Sequence, residues 1–166
     1  MKSYFLALIV LAATLSVSAK NYDPSQYGIQ ANTTINSAPL LVNAIREIVA
    51  GHQSDTPIVL RFTKGKYHFY PTAALEREYY ISNHDQTNPK STGIPLEGLK
   101  NLELDGQGAE FIFHGRMLPL SLIDCENCTL KNFSVDFENP HITQFKIIAN
   151  DTIARKITFE VAPWVK

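Results

Sequence analysis

Two stretches of this chain follow one pattern: "NLELDGQGAEFIFHG" at 101–115 and "NCTLKNFSVDFEN" at 127–139, 26 positions apart (127 minus 101). In each, apolar letters alternate on either side of a short polar break. With Asn101 set on Asn127, and Gln107 and Gly108 treated as an enlarged corner, Leu102 falls on Cys128 and Leu104 on Leu130. Phe111 falls on Val135 and Phe113 on Phe137, while Glu110 meets Ser134 and Ile112 meets Asp136. Strand side chains alternate between two faces, so the four apolar pairs share one face.

A period of about 20 to 30 residues built from strands and tight corners predicts a solenoid, here a parallel β-helix whose rungs stack on one another. No rung buries its inner face alone; the next rung covers it. The steps Asp105–Gly106 and Lys131–Asn132 fall at the corners, where Gly and Asn tolerate a left-handed backbone. The residues alone leave an antiparallel β-sandwich open.

Upstream of the repeat, "SAPLLVNAIREIVAGH" carries apolar residues at Leu40, Leu41, Ala44, Ile45, Ile48 and Val49. This stripe predicts an amphipathic helix over 38–50, with Ser37 as N-cap, Pro39 in the first turn and Gly51 as the stop. Such a helix would cap the open end of the solenoid core. The period then changes to that of strands at "PIVLRF" (57–62) and "KYHFY" (66–70), separated by a "TKG" turn. "TAALEREYYIS" reads as a helical turn at Ala73 to Glu78 and a strand at Tyr79 to Ser82, and "NHDQTNPKSTGIP" as a polar loop. "FKIIANDTIARKITFEV" reads as an antiparallel hairpin.

The first nineteen residues have the layout of a secretory signal: Lys2, an apolar run from Tyr4 to Leu15, and a "VSA" exit. The run is shorter than the roughly twenty residues a membrane span needs. The expectation is cleavage after Ala19 and a secreted or periplasmic chain of 147 residues (166 minus 19), enough for one core. A net charge of −1 with scattered Lys and Arg disfavours a nucleic-acid partner, and no second apolar stretch reaches membrane length.

Cys125 and Cys128 form a C-x-x-C pair without further zinc ligands at suitable spacing, so packed thiols in a strand or turn are expected. The five His show no metal-ligand spacing, and no acidic loop suits calcium, so neither a metal nor a cofactor is expected. Asn83, His84 and Asp85 could bond sugar hydroxyls, although an Asx-type turn accounts for them as well.

"GKYHFYP", "YYISNHDQ", "PLEGLKNLELDGQGAEFIFHGRMLPL" and "CTLKNFSVDFENP" together resemble the amino-terminal portion of glycoside hydrolase family 110. "YGIQANTTINSAPLLVNAI" is similar to the capping-helix entry of pectin-lyase-like β-helices. The resemblance runs from about Tyr22 to the end. It implies a right-handed parallel β-helix and an inverting exo-α-1,3-galactosidase acting on α-galactosyl-terminated glycans without a cofactor. It also implies the divisions 1–19 signal peptide, 20–140 start of the β-helix with its capping helix, and 141–166 start of an inserted β-rich, barrel-like domain that is incomplete.

An inverting enzyme needs two carboxyl groups about 6.5–9.5 Å apart. In the family these lie in later rungs, so they are expected beyond Lys166, no catalytic residue is carried over, and the chain by itself is expected to be an inactive fragment. Glu110 and Asp136 both face outward but are offset by two residues, and are read as solvated surface charges. Rival readings are another pectin-lyase-like polysaccharide-degrading enzyme and a non-catalytic glycan-binding β-helix.

Overall fold

The computed structural model describes residues 18–52, 56–80, 88–139 and 143–163. Most of the signal segment, the Asn83–His84–Asp85 group and Trp164 therefore lie outside the described residues. The described chain is mainly β, with parallel sheets and one α-helix.

The strands are β1 (Lys20–Tyr22), β2 (Ile58–Arg61), β3 (Lys66–Phe69), β4 (Leu75–Arg77), β5 (Lys90–Glu97) and β6 (Leu102–Phe113). Then come β7 (Leu118–Ile123), β8 (Thr129–Phe137), β9 (Phe145–Asp151) and β10 (Lys156–Val161). A 3-10 turn spans Pro24–Tyr27 and helix α1 spans Ser37–Gly51. Three successive passes of chain lie parallel. β2 pairs with the first part of β6 (Ile58 opposite Leu102), and β3 with the second (Phe69 opposite Phe113). β8 runs along the other edge of β6.

The β6–β8 register is the one the repeat predicts. Leu104 faces Leu130, Glu110 faces Ser134, Phe111 faces Val135 and Phe113 faces Phe137. The shift falls between Asp105 and Ala109, which absorbs Gln107 and Gly108. β5 and β7 pair in parallel within a second sheet, whose third strand, β4, runs antiparallel to β5; Thr92 faces Leu118 at the offset of 26 (118 minus 92) that β6 and β8 keep up to Asp105. This parallel pairing excludes the antiparallel sandwich for the repeat. The antiparallel hairpin expected downstream is present as β9–β10.

The core follows from the inward rows. Phe62, Tyr67, Phe69, Phe111 and Phe113 are essentially fully buried. Phe69 stacks on Phe113 at 4.8 Å between ring centres, and Phe62 meets Phe111 edge-on at 5.1 Å. Each such side chain contributes about 1.5–3 kcal/mol on burial. Helix α1 lays Ala38, Leu41, Ala44, Ile45 and Ile48 onto this mass, next to β3, β4 and β5.

Several expectations need correction. The N-cap is Asn36, not Ser37: its Oδ1 accepts from Ala38 N at 3.1 Å. The same side chain also accepts from Tyr70 N at 3.0 Å and donates to Thr72 O at 2.7 Å, so it ties the helix start to the end of β3. Gly51 is still helical, and the C-cap is His52. The stretch around Ala73 to Glu78 holds strand β4 in place of a helical turn, and Tyr79 and Tyr80 lie outside any strand. The second half of the supposed polar loop is β5, buried along most of its length.

At the corner, the left-handed residues are Gln107 (φ 50°), Gly108 (φ 84°) and Asn132 (φ 59°), not Gly106. Gly106 is needed for close approach: a Cβ there would sit 2.5 Å from Phe133 Cβ and 2.7 Å from Asn132 O. Phe133 is a further inward residue, opposite Ala109 and 4.8 Å from the Phe111 ring. Burial is not equal along the repeat either. Phe111 is fully buried on β6, which has strands on both edges, whereas Val135 is 40% exposed on β8, which among the described residues pairs only with β6.

Candidate functional site

Alternation puts polar residues on the outer faces of β3, β6 and β8, and the parallel register lines them up in rows. The first row is Lys66, Glu110 and Ser134. Lys66 Nζ lies 3.9 Å from Glu110 Oε2, an exposed pair worth well under about 1 kcal/mol. The second row is His68, Ile112 and Asp136. Glu110 and Asp136 thus stand in different rows, as the sequence predicts, and Asp136 Oδ1 accepts from Phe137 N at 2.8 Å. Glu110 is thus engaged by Lys66, and Asp136 by the amide that follows it.

One row further on, the backbone ladder continues through His114 N to Phe69 O (2.9 Å) and Glu138 N to Phe113 O (3.0 Å). This brings together a constellation that sequence reasoning missed. His114 lies 2.8 Å from His68 and 2.7 Å from Glu138, and its ring stacks on Tyr70 at 4.0 Å. Burial, and next the neighbouring His114, hold the His68 imidazole below its ordinary pKa. The signal lay in the motifs "YHFY" and "IFHG": His68 and His114 each follow an inward aromatic by one residue, which assigns both to the outer face of paired strands.

A second polar network sits beside β5. Arg77 Nε donates to Glu97 Oε1 at 3.1 Å, and Tyr79 OH donates to the same oxygen at 2.6 Å, with Ser121 Oγ 3.2 Å from the phenol. Burial, then the bond to Glu97, pushes the Tyr79 phenol up. These groups satisfy one another and fix β4 to β5. They leave no pair of carboxyls set for acid and base catalysis.

Cys125 and Cys128 are free thiols in the turn between β7 and β8, half-buried instead of fully packed. Their Sγ atoms donate to Leu96 O and Leu99 O at 3.3 and 3.4 Å. Burial raises the Cys128 thiol above its ordinary pKa, which opposes thiolate chemistry. Among the described residues, no group of three His, Cys, Asp or Glu side chains is placed to hold a metal ion.

No family model matches the chain. Individual proteins do. It is 55% identical over 160 residues to "Alpha-1,3-galactosidase B" of Phocaeicola vulgatus, an alignment covering 96% of this chain and 27% of that protein. It is 50% identical to "Alpha-1,3-galactosidase B" of Parabacteroides distasonis, over 99% of this chain and 28% of the relative. "Alpha-1,3-galactosidase A" of Shewanella woodyi is 36% identical over 73% of this chain and 19% of its own length. Identity at this level over nearly the whole chain makes it a homologue of the bacterial alpha-1,3-galactosidases, of whose length it spans about a quarter.

Proposed function

We propose that this chain is the amino-terminal part of an exported glycoside hydrolase that removes terminal α-1,3-linked galactose from glycans. The observation that carries the reading is the 55% identity to a protein named for that activity. Residues 20–140 form the first rungs of a right-handed parallel β-helix, and α1 is its cap. Support comes from the offset of 26 shared by the β5–β7 pair and the first part of the β6–β8 pair, and from the apolar face of α1 turned to the core. Residues 141–166 begin a separate β-rich unit, of which the β9–β10 hairpin is the first part. Export, with cleavage after Ala19, rests on the basic, apolar and small-residue order of the first nineteen positions.

In this reading the segment builds and closes one end of the scaffold, and the paired carboxyls that an inverting mechanism needs lie in the part of the relatives it does not span. The test uses two proteins: the purified chain, and a chimera in which it replaces the matching segment of the Phocaeicola vulgatus relative. Galactose release is followed from α-1,3-, α-1,4- and β-linked galactosides. The expected result is no release by the chain and α-1,3-selective release by the chimera. A folded chimera that is inactive, or selective for another linkage, would contradict the proposal.

A further inference from the structure

The cluster without a role in that reading is the chain His68–His114–Glu138, and its hydrogen-bond valences lead to a definite conclusion. His114 is 11% exposed at its side chain, so its ring has little access to water. Its Nδ1 faces Glu138 Oε2 at 2.7 Å. A carboxylate only accepts, so His114 Nδ1 carries a proton in that contact. When the ring is neutral, Nε2 then offers a lone pair. The atom facing it, 2.8 Å away, is His68 Nδ1, which must donate. Both rings are thereby set in the Nδ1–H form, with His68 Nε2 left as the outermost acceptor.

One added proton fits this chain without breaking it. It sits on His68 Nε2, or on His114 Nε2 with the bond between the rings reversed. A second added proton does not fit. It would place N–H groups on both facing nitrogens at 2.8 Å, and two imidazolium charges side by side. The other charged and titratable groups facing the pair are Lys66 and Tyr70 on the β3 side, Glu110 on β6, and Asp136 and Glu138 at the end of β8. Glu110 is taken up by Lys66, and Glu138 by His114. Among the described residues, no second carboxylate bonds to the facing nitrogens.

We propose that His68, His114 and Glu138 form a proton-counting latch across the outer face of β3, β6 and β8, closed with up to one added proton and opened by the second. Opening separates His68 from His114 and so releases the outer tie between β3 and β6, while the His114–Glu138 pair keeps β6 joined to β8. Burial and the neighbouring His114 both disfavour charge on the His68 imidazole, which opposes the second proton. The inference is independent of the galactosidase reading.

Histidine ring 15N spectra of the intact chain, recorded from pH 8 down to 4.5, test it. At pH 8 both His68 and His114 should show the Nδ1–H tautomer. The second protonation should coincide with a change in the Tyr70 ring signals. Glu138→Gln removes a charge that raises the His68 midpoint, so that midpoint should move down; His114→Gln removes one that lowers it, so it should move up. Nε2–H tautomers on both rings at pH 8, or a His68 midpoint unmoved by Glu138→Gln, would overturn the proposal. Glu138 is 54% exposed, so its variant decides the matter should the His114 variant fail to fold.

Discussion

Asn101 and Asn127, the pair on which the repeat is aligned, both sit in the left-handed region (φ 54° and 53°), and Asn127 Nδ2 donates to Asn101 Oδ1 at 3.2 Å. One residue type thus supplies both the corner backbone and the bond to the next pass. Asn132 does the same at the second corner, donating to the buried Asp105 at 2.9 Å. That bond is the main cause holding the Asp105 carboxyl below its ordinary range, helped by Gln107 and opposed by burial. With the folded pKa depressed, the stabilisation is present above about pH 4 and is lost as pH falls through the folded value. Asn132→Ala should therefore move the acid unfolding transition, followed by circular dichroism, to higher pH; an unmoved transition would show that the bond has no such effect. Gly106→Ala should cost about 1–3 kcal/mol in denaturant titrations, because Phe133 and the Asn132 carbonyl leave no space for a Cβ. Asn132 was legible in the sequence as a corner residue, whereas Asn101 and Asn127 served there only to align the repeat. The role of Gly106 was not legible, because the collision it avoids comes from the neighbouring pass, 27 residues away at Phe133 (133 minus 106).

Two of the strands that the sequence revealed owe it to faces that differ. β3 and β6 alternate between buried aromatics and polar residues, so period and register were both recoverable. Phe113→Ala should accordingly cost about 3–5 kcal/mol, and Glu110→Ala should stay within about 0.5 kcal/mol; chemical unfolding of the two variants measures both, and reversed costs would mean a register shifted by one. β5 was hidden because "KSTGIPLE" is buried on both faces and so shows no alternation, and its Lys, Ser, Gly and Pro read as loop. The helix was found from its stripe, but its cap was displaced by one residue, since Ser37 and Asn36 are both good caps by composition. Only the fold reveals that Asn36 also holds Tyr70 and Thr72. Asn36→Ala should cost more than the roughly 0.5–2 kcal/mol of a lost N-cap alone, while Ser37→Ala should not show a cap-sized loss.

At the scale of the whole molecule, the passes stack in parallel, and each inner face depends on the pass that covers it. Phe111 lies between β3 and β8 and is fully buried, whereas Val135 on β8 is 40% exposed. The polar latch on the outer face and the aromatic stack inside are consequences of the same register, which sets Phe69, Phe113 and Phe137 in one row and His114 beside Glu138 in the next. The most direct test of that register is a cysteine-pair experiment in a background with Cys125 and Cys128 changed to Ala. Opposed residues of adjacent strands are about 4.8 Å apart, within the roughly 4.4–6.8 Å that a disulfide spans. On mild oxidation, Glu110→Cys with Ser134→Cys should cross-link readily, and Glu110→Cys with Asp136→Cys should lag far behind. Preferential linkage of 110 to 136, or no linkage of 110 to 134, would contradict the parallel stacking on which the account rests.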